Sequence, residues 1–419
     1  MKINNSTFIA ERMAPKTLYR YMPSILILLG VIGMILALGR LDLLWLSLGA
    51  ISFFLMLGIR KVNDATMLKW ELIAFLLVPL FLGMSGISSG LQDRLFGADI
   101  AFVILSPALG FMIMFNLHHH TSFETNFSFS IFFVVVFSLA VGALIGIGEF
   151  FSDLYFGTNF LESNFDLMID LLFITVGSAL MGLLFKNYIE SSDHDSIKSL
   201  TSRMDIDPKR TSSEVSHLLL SGFGKKGHRW APLLSRLLQS VIIVFAIYAI
   251  YVGNVRWFFT AILSFGTTMV PYIFTRNLKI VVPPLLNLWI CVALFLHVLG
   301  GVMGYYDHVW WWDNLTHFIS AGLISILGFT VLFTITHLSD SLYVPSMVIP
   351  IIILLFILAT GVVWEIFEFF ADQILGTDMQ YSLEDTVYDM MFNTVGALFS
   401  SALGYLYFLP QHWREWKKR

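Results

Sequence analysis

The sequence predicts an all-α fold, a polytopic membrane helix bundle of about twelve spans arranged as two parallel six-helix repeats. Three observations predict it. The 419-residue chain is 57% hydrophobic and only 13% charged, with a mean hydropathy of +0.77, too little charge to cover a soluble surface. Its apolar residues gather in runs near the roughly 20 residues that cross a bilayer. A stretch of the second half also matches one in the first half without a gap.

The runs fall in order. Met22 to Gly39 follows a segment carrying Lys2, Arg12, Lys16 and Arg20; it is too long for a signal peptide and lacks a small-residue cleavage site, so it reads as a span. Leu43 to Ile59 and Leu68 to Gly86 flank the polar stretch "RKVND", and Ala98 to Asn116 follows Arg94. Phe129 to Phe151 comes after the triplet His118 to His120, and Asp166 to Phe185 closes the first set. Ala231 to Gly253 and Val255 to Thr275 meet at a Gly-Asn turn; Val282 to Gly304 opens on prolines. Asp313 to Thr336 follows Trp310 to Trp312, placed as an aromatic belt would be. Ser346 to Ala371 and Asp385 to Leu409 complete the series.

Residues 187–230 form the one long polar stretch and read as a cytoplasmic linker between a first repeat, 1–186, and a second, 231–419. With the amino terminus inside, 21 of the 25 Lys and Arg fall on cytoplasmic segments, and only Arg40, Arg94 and Arg256 fall outside. This bias places both termini in the cytoplasm of a multi-pass cell-membrane protein. The formal charge of −4 is therefore no guide to partners, and no basic stripe with interleaved aromatics indicates nucleic acid. The lone Cys291 lies within a span, which excludes an internal disulfide framework.

A shift of 219 lays Gly361 to Ala397 on Gly142 to Ser178 with fifteen identities in 37 positions, among them Glu368/Glu149, Asp372/Asp153, Gly376/Gly157, Asp385/Asp166 and Asp389/Asp170. Six spans per copy is an even number, so the two copies enter the membrane in the same sense. The copies differ where chemistry would reside. Gly146 stands for Glu365 and Ile174 for Asn393, and where "DNLTH" is laid on "DIAFV" from Asp99, Val103 stands for His317. The first half is the degenerate copy.

Between Trp364 and Gly396 lie seven carboxylates. Glu365, Glu368 and Asp372 are spaced i, i+3, i+7 on the eleventh span; Asp385, Asp389 and Asn393 are spaced i, i+4, i+8 on the twelfth; Asp313 and His317 are spaced i, i+4 on the tenth. All three stripes sit toward the outer leaflet. An ionised carboxylate at such depth costs on the order of 2 to 3 kcal/mol, so the cluster needs protons, water or a cation. A divalent cation satisfies it best: magnesium, manganese or calcium by the oxygen-rich set, with zinc accessible through His317.

Role by role, the pattern names Glu368, Asp385, Asp389 and Asp372 as metal ligands, His317 oriented by Asp313 as general base, Asn393 as an orienting amide, and Glu365 as a proton carrier. Each has a plainer reading. Asp385, Asp389 and Asn393 can cap a helix and bond across helices, and Asp372 with Glu384 can be interface charges. His297 is a further outer-side candidate. His118 to His120 cannot share one helical face and read as a loop.

"DNLTHF" at a helix start, a late Glu on the next span, "GTD", and then "DTVYDMMFNTVG" resemble the YjdF-like membrane proteins, and more widely the VanZ-like membrane proteins, over Tyr305 to Tyr407. The resemblance carries over Asp313, His317, Glu368, Asp385, Asp389 and Asn393. It implies a cell-envelope protein, since VanZ-like proteins are associated with glycopeptide resistance and the wider group with lipid headgroups or lipid-linked intermediates. The expected partner is thus a lipid or lipid-linked small molecule in the membrane. The expected function is metal-assisted chemistry on it; a cation- or proton-coupled transporter and a non-enzymatic lipid- or antibiotic-binding protein are the alternatives.

Overall fold

The fold was analysed in a computed structural model, which describes residues 16–40, 42–59, 70–87, 99–125, 127–191, 212–213, 215–217, 219–220, 230–338, 342–345 and 347–416. Most of the polar linker and several basic residues counted above, Arg94 and Lys417 among them, lie outside the described residues. The described elements are helices. We number the longer ones α1 (Lys16–Gly39), α2 (Leu43–Ile59), α3 (Trp70–Ser85), α4 (Ile100–His120), α5 (Phe127–Phe156), α6 (Asn164–Ser191), α7 (Trp230–Tyr251), α8 (Val255–Thr268), α9 (Pro284–Met303), α10 (Trp312–Leu338), α11 (Ile349–Leu375) and α12 (Leu383–Trp416).

Among the described residues, eight helices are long and apolar enough to cross a membrane, where the sequence predicts about twelve spans. Ser24–Gly39, Leu43–Met56 and Ile73–Ser85 are apolar but shorter. The helices start where the sequence supplies an oxygen for the orphan N–H groups of the first turn. The Asp42 carboxylate accepts from Trp45 N, Asp99 from Ala101 N and Phe102 N, Asn254 from Trp257 N, and the Ser382 hydroxyl from Asp385 N.

The chain divides into two compact units, Met1–Gly142 with Phe165–Ser202, and Ala143–Asn164 with Arg203–Arg419. In the first, α1 and α3 approach closely because Gly30 and Gly33 face Leu77 and Met84. Arg40 donates to the Gly83 and Met84 carbonyls at the end of α3, where orphan carbonyls attract a cation. His118 packs its Nδ1 3.1 Å from the Phe123 carbonyl and so closes the turn after α4.

In the second unit, α7, α8 and α9 bury Ile242, Ala246, Ala261 and Val298 under a layer of phenylalanines that includes Phe245 and Phe295. Leu237, Ile247, Leu263, Phe367 and Ile374 remain exposed, as a lipid-facing surface requires. The same unit holds two turns of one design. After α5, Gly157 takes φ 65° while Asp153 accepts from the Thr158 hydroxyl and from Phe160 N and Leu161 N. After α11, Gly376 takes φ 62° while Asp372 accepts from the Thr377 hydroxyl and from Met379 N and Gln380 N. A left-handed backbone suits glycine, and the carboxylate gathers the loop N–H groups that would otherwise lack partners.

Candidate metal centre

Glycines let three helices of the second unit meet closely. A Cβ at Gly396 of α12 would lie 2.9 Å from the Phe318 carbonyl and from Ala321 Cβ of α10, and one at Gly361 of α11 would lie 2.9 Å from the Asn393 amide nitrogen of α12. The start of α10 is fixed by Trp312, whose ring fills the space above Gly300 and meets Tyr305 edge-on at 4.8 Å. Asp313 and His317 follow one turn apart.

His317 Nε2 lies 3.3 Å from Asp313 Oδ1 and 3.6 Å from Asp389 Oδ1. One ligand atom from each of the three falls within 4.8 Å of the others, and this buried Asp-His-Asp group can hold a metal ion. The separations are long for charge-assisted hydrogen bonds, which run at about 2.7 to 2.9 Å. Donors about 2.1 Å from a cation stand roughly 3.0 to 3.4 Å apart in octahedral or tetrahedral geometry; the separation to Asp313 falls in that range and the one to Asp389 just outside it. Asn393 reaches the other ring nitrogen, 3.2 Å from amide nitrogen to Nδ1. As placed, the amide N–H donates to Nδ1; a cation at Nε2 would call for the amide oxygen there instead, accepting Nδ1–H, as outer partners of metal-bound histidines do.

Two more carboxylates stand beside this group on α11. Glu365 is fully buried and Glu368 nearly so. Gln380 donates to Glu365 Oε2 at 3.1 Å and to its carbonyl at 3.0 Å, and its own amide oxygen accepts from Asn164 at 2.9 Å. Glu365 Oε1 is buried without a hydrogen-bond partner. Among the described residues, no lysine or arginine forms an ion pair with Asp313, Glu365, Glu368 or Asp389.

The remaining carboxylates named from the sequence are not members of the Asp-His-Asp group. Both oxygens of Asp372 are engaged by the turn after α11. Asp385 occupies the first turn of α12, where its Oδ2 accepts from Tyr381 N and its own N–H reaches the Ser382 hydroxyl, a capping arrangement. His297 bonds through Nδ1 to the Tyr306 hydroxyl at 2.8 Å. Burial and then Asp313 push that phenol above the usual tyrosine range. Tyr381 donates to Asp307 Oδ1 at 2.8 Å, and burial followed by that carboxylate raises its pKa too.

Residues 233–409 match the family described as "Predicted membrane protein (DUF2238)". That stretch contains every residue of the Asp-His-Asp group, together with Glu365, Glu368, Gln380 and Asn393. A protein of Thermotoga maritima described as "Uncharacterized protein" is 30% identical over 130 residues, which is 30% of this chain and 65% of the relative. The chain thus spans under two thirds of that relative. No solved structure matches. The apolar helices and the family match agree that this is an integral, multi-pass membrane protein.

Gln380 and Asn164 were not singled out by the sequence. A signal for Gln380 exists: under the 219-residue shift it replaces Leu161, a polar residue gained at one loop position of the second copy. Asn164 and Tyr306 carry no such mark.

Proposed function

We propose that the second unit is a metal-dependent site that acts on a phosphoryl or ester group of a lipid headgroup or lipid-linked envelope intermediate. The observation that supports this reading is the meeting of Asp313, His317 and Asp389 with one ligand atom from each within 4.8 Å of the others. In this reading His317, expected to be a general base, is a ligand, and Asp313 is a ligand beside it. Two carboxylates and one imidazole accommodate manganese or zinc more readily than magnesium or calcium. Three protein donors leave positions for water and substrate, and a bound cation supplies both a Lewis acid and a water acidic enough to attack near neutral pH. Asn393 orients His317, and Gln380 orients Glu365.

The positive-inside bias puts both termini in the cytoplasm of a cell-membrane protein and this site toward the outer leaflet, where a lipid headgroup is the natural substrate. The paired turns at Asp153 and Asp372 support an origin of the two halves by duplication, with Ile174 at the position of Asn393 marking the copy that lost the site.

The test compares envelope lipids in a strain lacking the gene, restored with the wild type or with Asp389→Asn. A lipid or precursor pool that returns only with the wild type supports the proposal. Unchanged lipids in every strain, together with cation- or pH-dependent flux in proteoliposomes, would replace it with the transporter reading.

A further inference from the structure

We propose that one hydrocarbon chain of the lipid substrate lies in an apolar groove bounded by α9, α10 and α12, whose lining starts at the residue after His317. The proposal deepens the metal-dependent reading above and rests on it. It restricts the substrate to a lipid whose phosphoryl or ester group is joined closely to an acyl chain, and sets aside soluble esters. Leu288, Trp289 and Val292 of α9, Phe318 and Gly322 of α10, and Phe399 of α12 form most of the lining. Ser400 adds its one hydroxyl. The Trp289 indole N–H donates to the Ile319 carbonyl at 3.2 Å, so its ring offers the groove carbon alone. A Cβ at Gly322 would meet that ring at 2.8 Å, and its absence lets α9 close against α10 there.

Medium, size and position name the occupant. α9 and α10 are long and apolar enough to cross a membrane, and the lining residue Phe399 is exposed, so hydrocarbon is what reaches the groove. Its volume of about 330 Å3 lies at the low end of the roughly 300 to 1,000 Å3 of ligand pockets, room for one chain and not for a whole two-chained lipid. Position ties it to the Asp-His-Asp group. Phe318 follows His317 directly, and Gly322 lies only about 8 Å further along α10 than His317 at 1.5 Å per residue. On α12, Ser400 comes eleven residues after Asp389, about 20° from the same face. The rings of Phe318 and Phe399 stand 5.9 Å apart and bring the two helices together at the groove. A group held by His317 and Asp389 therefore has the groove ahead of it along both helices, as a headgroup has its chain.

The probe is phosphatidic acid carrying a diazirine near the end of one acyl chain. Full-length protein in phosphatidylcholine vesicles, loaded with Mn2+, is illuminated with this lipid and its adducts are mapped by mass spectrometry. Adducts are expected to concentrate on Val292 and Phe399 over the exposed Leu263 and Phe367, and diacylglycerol with the same label is expected to show no such preference. Val292→Trp should abolish the preference and keep bound Mn2+, and Leu285→Trp should do the same if the first variant fails to fold. Adducts spread evenly over groove and lipid-facing positions, with Mn2+ bound and lost in His317→Ala, would overturn the groove and keep the metal centre. A preference equally strong for diacylglycerol, or unchanged in His317→Ala, would overturn the link between groove and centre. No bound Mn2+ in the wild type would overturn the reading on which the proposal rests.

Discussion

The Asn393 amide stands 3.2 Å from His317 Nδ1, in a space that exists because residue 361 has no side chain. The contact ties α12 to α10 and sets which way the imidazole faces. Asn393→Leu should leave the fold intact and lower Mn2+ affinity roughly 10- to 100-fold, the usual effect of losing an outer partner of a metal ligand. Gly361→Ala should lower it in the same direction by displacing Asn393. Calorimetric titration of both variants measures this.

Asp372 and Asp153 should behave alike despite lying in different halves of the sequence. Each satisfies loop N–H groups beside a left-handed glycine. Alanine at either position should destabilise the protein by about 1 to 3 kcal/mol, seen as a lowered melting temperature, and leave manganese stoichiometry unchanged. A loss of bound metal in Asp372→Ala without a loss of stability would show that Asp372 is a ligand after all.

Gly396 lets the backbones of α10 and α12 approach closely. A methyl group there meets the Phe318 carbonyl, which cannot rotate away. Gly396→Ala should cost about 1 to 3 kcal/mol and should weaken metal binding in parallel, because it separates Asp389 from His317. Stability and affinity measured on the same sample check the coupling.

The Tyr381 hydroxyl donates to Asp307 and holds its proton above the usual tyrosine pKa. A raised folded-state pKa means that the contact's contribution is complete below the unfolded value of about 10. It is lost as pH rises through the higher folded value. Wild type and Tyr381→Phe should therefore differ in melting temperature at pH 7 to 9 and converge at more alkaline pH. A difference that persists or widens there would rule out this contact as the source.

Much of the helical architecture is legible in the sequence because lipid as a solvent leaves few choices: long apolar runs must be helices. The number of spans is less so. Among the described residues, α1, α2 and α3 are apolar over the shorter stretches Ser24–Gly39, Leu43–Met56 and Ile73–Ser85, and length alone does not say how such helices are placed. In the site, the four-residue spacing of Asp313 with His317 and of Asp389 with Asn393 brings all four together. The same spacing includes Asp385, yet its carboxylate accepts from Tyr381 N at 3.3 Å. Periodicity assigns a face; it does not say which members of that face are already occupied by backbone. Gln380 lies in a loop, where no period applies, and its role depends on a contact with a residue 216 positions away.

X-ray absorption at the manganese or zinc edge, on full-length protein loaded with that metal, tests the centre most directly. The geometry of Asp313, His317 and Asp389 predicts a shell of light oxygen and nitrogen donors with the outer scattering of one imidazole, and loss of that imidazole signature in His317→Ala. Bound metal with no imidazole, or a spectrum unchanged in His317→Ala, would contradict it.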